Sequence, residues 1–202
     1  MGSRSDPAAG ATGRGAPSRR SLIQALGVTV MPSVARAQPP AADHGRVNPP
    51  VPAPPVSLLR HDGVSSSLPA LAKHHATALQ LMFTACTTTC PIQGAIFARV
   101  QKLIPDQVAR GIQLISLTVD PRNDTPEVLT RWLRRFQARP GWISAASHPK
   151  DVDTIKAFAG GRNSPLDNHS TQVQILNRDG GLIWRTGDLP EAEEIAALLK
   201  RA

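Results

Sequence analysis

From residue 56 onward, apolar positions follow two alternating rhythms along the chain. Nearly unbroken apolar runs at 78–83 and 112–119, and a shorter one at 173–176, predict strands buried on both faces. Between them the apolar residues fall three or four apart. Ile92, Ile96, Val100 and Leu103 predict a helix over 91–104, with those four on its inner face. Val128, Leu129, Trp132, Leu133 and Phe136 predict a second helix, ending near Gln137. Its start reads as Asp124-Thr125-Pro126-Glu127, which has the shape of a capping box with proline in the first turn.

Shorter signals complete the order. Val56–Leu59 followed by His61-Asp62-Gly63 predicts a strand and turn, and Trp142-Ile143 another strand. A helix is expected from Pro149 to Phe158, and a final amphipathic one from Glu191 to Lys200. Asn177-Arg178-Asp179-Gly180-Gly181 sits between two apolar runs and predicts a closing hairpin. The fold class is therefore α/β, a central mixed sheet flanked by helices, with an additional N-terminal strand segment.

Residues 1–55 lack these rhythms and are rich in Gly, Pro, Ala, Ser and Arg. Arg19-Arg20 precedes a short, mildly apolar stretch that runs through Met31 and closes at Ala35-Arg36-Ala37. Charge, apolar run and small-residue site stand in the order of an export signal, and the paired arginines suit the twin-arginine route. The expected organisation is an export signal over 1–37, a proline-rich linker over 38–55, and one domain over 56–202. The expected location is the periplasm, with membrane association only if the signal is retained.

The formal charge of +8 points less to nucleic acid than its size suggests. Residues 1–37 hold five arginines against one aspartate, so half of the excess lies in the signal. The remaining cations are scattered, the chain has no tyrosine, and aromatics make up 3% of it, which leaves little to stack on bases.

Candidate chemistry concentrates at Cys86-Thr87-Thr88-Thr89-Cys90-Pro91, where the first core strand hands over to a helix. These are the only two cysteines. A helix N-terminus favours thiolate, which is the form that attacks disulfides and binds soft metals. As a structural staple the pair would close a very short loop and constrain the unfolded chain little. Positions i and i+4 of a helix have Cβ atoms about 5–6 Å apart, whereas a disulfide wants about 3.5–4.5 Å. A bridge therefore needs Cys86 on the preceding loop, while a soft ion such as Cu(I) fits between the sulfurs with less strain.

A third metal donor would come from the histidines. His44, His61, His74, His75 and His148 lie in linker, turn or polar segments and read as solvated side chains. His169 stands just before the 173–176 strand. In a thioredoxin-like sheet, which a redox-type cysteine pair after a core strand suggests, that loop faces the cysteine helix. Asp120, ending the 112–119 strand, is either a residue that tunes His169 or a turn-forming partner of Pro121. Trp132, Trp142 and Trp184 read as packing.

Taken in order, Cys86-x-x-x-Cys90-Pro91, Val119-Asp120-Pro121, Asp124-Thr125-Pro126-Glu127, Gly141-Trp142 and His169-Ser170 resemble the SCO/SenC family. These are thioredoxin-like copper proteins of cytochrome c oxidase assembly. The resemblance runs from about Val56 to the C-terminus. It implies a Cu(I) ion, with Cu(II) left open, held by Cys86, Cys90 and His169. It also implies an extracytoplasmic protein that hands copper to the oxidase's copper-site subunit or another copper protein, or that reduces cysteines there. Thr87, Thr88 and Thr89 replace the acid and proline many members carry, and could cap the helix. Thr84-Ala85 stand where aromatics are common.

Three functions compete at this point. A metallochaperone would use all three residues and catalyse nothing. A thiol–disulfide oxidoreductase would attack with Cys86 and resolve with Cys90, recycled by a thiol reductant protein. Its usual spacing is C-x-x-C, and no proline lies between His169 and Val173 to face the thiols. A peroxidase of peroxiredoxin type would leave Cys90 and His169 without a role.

Overall fold

The computed structural model describes residues 44–160 and 169–202. The export signal expected over 1–37, the first part of the linker and the polar stretch 162–168 before His169 lie outside them. Among the described residues no helix is long and apolar enough to cross a membrane.

One eight-stranded sheet carries the fold. Its strands are β1 (Gly45–Pro52), β2 (Ser57–Arg60), β3 (Ser65–Ser67), β4 (Ala76–Met82), β5 (Ile112–Thr118), β6 (Trp142–Ser147), β7 (Val173–Leu176) and β8 (Gly181–Arg185), in the spatial order β1-β8-β7-β4-β5-β6-β2-β3. Only β4-β5 and β5-β6 pair in parallel, and each of these connections crosses through a helix. The other pairs are antiparallel. Every residue of β4 and β5 is buried, as their continuous apolar pattern requires. The mixed α/β architecture expected from the sequence is the one observed.

Polar residues inside these strands pair with one another across the sheet. Ser116 Oγ accepts from Gln80 Nε2 at 2.9 Å and from Trp142 Nε1 at 3.0 Å, while Ser144 Oγ donates to the Ser116 carbonyl at 3.1 Å. Gln113 Nε2 likewise donates to Leu71 O and Thr77 Oγ1. Buried polar groups tolerate a core only when partnered in this way.

The helices are α1 (Leu68–Ala72), α2 (Thr89–Leu103), α3 (Pro126–Arg135), α4 (Val152–Phe158, after a 3-10 turn at Pro149–Asp151) and α5 (Ala192–Leu199). α2 packs beside α5 and meets the end of α3 where Gly94 faces the Phe136 ring. Trp142 of β6 gathers Phe97, Trp132 and Phe136 around it at centroid distances of 5.6, 5.7 and 6.3 Å. Trp132 and Trp142 are core residues, as expected.

Four expectations need correction. Residues 45–52, expected as linker, form β1, antiparallel to β8. Proline is tolerated there because the strand is at the edge of the sheet. A further strand and short helix at 65–72 fill a stretch where no element was expected. The inner face of α2 is Cys90, Gln93, Gly94, Phe97, Val100 and Gln101, whereas Ile92 is exposed. Apolar spacing misplaced that face because two glutamines and a glycine lie on it. Gln101 earns burial by pairing with the Arg139 backbone from both ends of its amide. Finally, Thr125 rather than Asp124 caps α3, accepting from Val128 N.

Candidate metal centre

The sheet's central strand β4 ends at Met82, and buried Phe83 leads into a turn in which Cys86 N–H donates to Phe83 O at 3.3 Å. α2 begins three residues later. Thr88 stands at the N-cap position, but no side-chain capping hydrogen bond is made from it. Instead Cys86 Sγ accepts the Cys90 N–H at 3.4 Å, and the Thr88 and Thr89 hydroxyls stand 3.6 and 3.8 Å from the same sulfur. The sulfur thus occupies the place of an N-cap oxygen, against the positive end of the helix.

These contacts divide the two thiols sharply. Burial by itself would raise Cys86. Hydrogen bonds from Cys90, backbone then side chain, and from Thr88 outweigh it and lower the group to about 6, against an ordinary thiol near 9. Cys90 is 1% exposed. Its desolvation, augmented by the adjoining Cys86 sulfur and only partly offset by a backbone hydrogen bond from Phe83, pushes it up to about 12. At neutral pH the site therefore holds a half-exposed thiolate beside a buried thiol.

His169 completes the group from across the sheet. It is 7% exposed, and its Nε2 lies 3.5 Å from Cys90 Sγ. Its Nδ1 is 3.0 Å from the Ser170 carbonyl. A carbonyl only accepts, so Nδ1 carries a proton there, and neutral imidazole then presents the Nε2 lone pair to Cys90. The Phe83 ring meets the imidazole edge-on at 5.9 Å. The Cys90 S–H can donate to either the Cys86 sulfur or His169 Nε2.

The structure thus brings Cys86, Cys90 and His169 into one neighbourhood. As placed, among the described residues, no three Cys, His, Asp or Glu side chains form a cluster already closed enough to hold an ion. The donor set nonetheless fits a soft cation: two sulfurs and one imidazole nitrogen whose other nitrogen is fixed by a carbonyl. Cys86 sits on the loop ahead of α2, whereas Cys90 lies inside the helix.

Asp120 is not part of this group. Its carboxylate takes both of its side-chain hydrogen bonds from Asn123, at 3.1 and 2.8 Å, which is the turn-forming alternative. The other histidines lie on surface segments, with His61 against Ser144 and His148 capping the 3-10 turn. The acid that does reach the cysteine loop is Asp124, 2% exposed. It accepts from Thr84 N at 3.1 Å and from the hydroxyls of Thr84 and Thr118. Sequence reading missed it by making it a helix cap. The available signal was Thr125 directly before Pro126, since a cap followed by proline at the first helical position is the commoner arrangement.

A family model described as SCO1/SenC matches residues 54–202. The SCO2-like protein RP587 of Rickettsia prowazekii is 28% identical over 134 residues, covering 62% of this chain and 65% of that protein. The chain thus spans slightly less than two thirds of that relative's length. ScoI of Bradyrhizobium japonicum, solved with copper bound, superposes with a TM-score of 0.62 at 22% identity, over 75% of this chain and 99% of that one. BsSco, a member of the Sco family of cytochrome c oxidase assembly proteins in which a disulfide switch was identified, gives 0.62 at 20% identity, over 78% and 96%. At these identities the likeness establishes the fold, the thioredoxin-like arrangement expected from the sequence.

Proposed function

The chain belongs to the SCO1/SenC family, and from that premise we propose that it is an extracytoplasmic Cu(I) carrier for the assembly of the cytochrome c oxidase copper site. Cys86, Cys90 and His169 hold the ion as cargo and release it by ligand exchange to the acceptor's own donors. The 3.5 Å contact between Cys90 Sγ and His169 Nε2 carries this reading. It joins a buried sulfur to a nitrogen whose tautomer suits a metal, across 79 residues of chain. Soft thiolate donors favour Cu(I) over harder ions. Export rests on Arg19-Arg20, the apolar stretch to Met31 and Ala35-Arg36-Ala37. The partners are the oxidase's copper-site subunit or another copper protein.

The test is an anaerobic Cu(I) titration of the reduced full chain against a competing chelator, with His169→Ala alongside. One tight equivalent, weakened in the variant, supports the three-donor site. Failure of the wild-type chain to compete would sink it.

A second reading is favoured by the asymmetry of the two sulfurs. The Cys86 thiolate attacks a partner disulfide, forming a mixed disulfide and expelling one partner thiolate. Cys90 gives up its proton and attacks Cys86 Sγ, which breaks the mixed bond and releases the second partner thiolate. The partner gains two electrons, Cys86–Cys90 becomes a disulfide, and a thiol reductant protein restores it. A peroxidase role has no such support, because it gives no use to the contact between Cys90 and His169.

A further inference from the structure

We propose that Asp124 is a positioning residue that anchors the loop bearing Cys86, so that its sulfur stays within reach of Cys90 and His169 for ion capture. The inference rests on the copper-carrier reading and assigns the part that keeps its most movable donor in register.

The loop that bears Cys86 has few anchors. Ala85, Thr87 and Thr88 are exposed, and Thr84 and Cys86 only half-buried, so little side-chain packing holds it. Among the described residues, and besides the Cys90 N–H on the Cys86 sulfur, its fixed points before the helix are the Cys86 N–H to Phe83 O bond and the Asp124 carboxylate on Thr84. Oδ2 accepts from the Thr84 backbone and from the Thr118 hydroxyl, and Oδ1 from the Thr84 hydroxyl. One buried anion therefore fastens the cysteine loop to the end of β5. Its own backbone is fixed in turn, with Asp124 N–H donating to Asp120 O at 3.0 Å. Cys90 needs no such device, because α2 and the core already hold it. His169 is set by Ser170 O and the Phe83 ring. Of the two sulfurs, the one carried outside the helix is the one whose loop depends on Asp124.

Hydrogen bonds to a carboxylate are stronger and more directional than those to a neutral group. Losing them frees the loop without removing any donor of the ion. Changes to groups that orient metal ligands commonly weaken affinity by about 10- to 100-fold.

The experiment compares full-length wild type with Asp124→Asn, Thr84→Val and Thr84→Ser. Each is reduced and read in two ways: Cu(I) affinity by chelator competition, and the rate of iodoacetamide alkylation of Cys86 in the metal-free chain. We expect Asp124→Asn and Thr84→Val to lose about 10- to 100-fold in affinity and to change the alkylation rate, with wild-type circular dichroism. Thr84→Ser, which keeps the hydroxyl, should behave as wild type in both. Unchanged affinity and alkylation in Asp124→Asn and Thr84→Val would overturn the proposal. So would an unfolded Asp124→Asn beside a Thr84→Val that matches wild type, since Asp124 would then serve the fold alone. If wild type itself binds no Cu(I), the carrier reading fails, and the alkylation rates still decide whether Asp124 positions Cys86.

Discussion

Cys90 Sγ and His169 Nε2 stand 3.5 Å apart although 79 residues separate them in the chain. The contact exists because β7, which His169 introduces, lies directly beside β4, whose end feeds the cysteine loop. Replacing His169 with Ala should therefore weaken Cu(I) binding by at least about tenfold. Exchange with a small disulfide should persist, because neither sulfur is touched. Chelator competition and thiol release, measured on the same preparation, separate the two effects.

The two thiols should answer differently to pH. Alkylation of Cys86 should rise with pH and reach half its maximum near pH 6, where its lowered group titrates. Cys90 should stay unmodified in the folded chain well past neutrality, since its thiol is buried and pushed up to about 12. Mass spectrometry after timed quenching assigns each site.

The same shifts predict how stability varies with pH. Cys86 is lowered from near 9 in the open chain to about 6, so its contribution is complete above pH 9 and lost as pH falls through 6. Cys90 is raised, so its preference for the neutral thiol costs stability as pH climbs from 9 toward 12. Urea unfolding of the reduced chain between pH 5 and 9, against Cys86→Ser, should show a rise with pH that the variant lacks.

Gly94→Ala tests the seam between α2 and α3. An added Cβ would fall within 2.7 Å of three atoms of the Phe136 ring, which Trp132 confines at 4.9 Å. Overpacking of this kind costs about 1–3 kcal/mol. It should exceed the gain in helix propensity and appear as a lower melting temperature.

Ser116→Ala tests the polar seam in the sheet. Gln80 Nε2 and Trp142 Nε1 would both lose their acceptor. Each buried donor left alone costs about 1–3 kcal/mol, so the urea midpoint should fall markedly at an unchanged slope.

Where packing alone decides, the chain was readable. The runs at 78–83 and 112–119 are buried strands within two residues of their expected bounds, and the closing hairpin falls where Asn177 to Gly181 placed it. Periodicity failed on α2 because Gln93, Gly94 and Gln101 occupy its inner face, and a pattern of apolar spacing cannot register them. Prolines 49, 50 and 52 disguised β1, since an edge position excuses what a central strand forbids. At the site, the cysteine spacing and the place of His169 before the 173–176 strand named three residues that the fold brings into one neighbourhood. Asp124 was not legible, because its partners at 84 and 118 belong to other strands' ends and only the folded sheet brings them to it.

The proline-rich β1 has a consequence for crowding. An open sheet edge is a template on which a second copy can add a strand. Here the outermost strand on one side spends three of its eight residues, Pro49, Pro50 and Pro52, on groups with no N–H to offer. The opposite edge, β3, is three serines long. Both borders are poor templates for a further strand, which should limit edge-to-edge pairing of copies at high concentration.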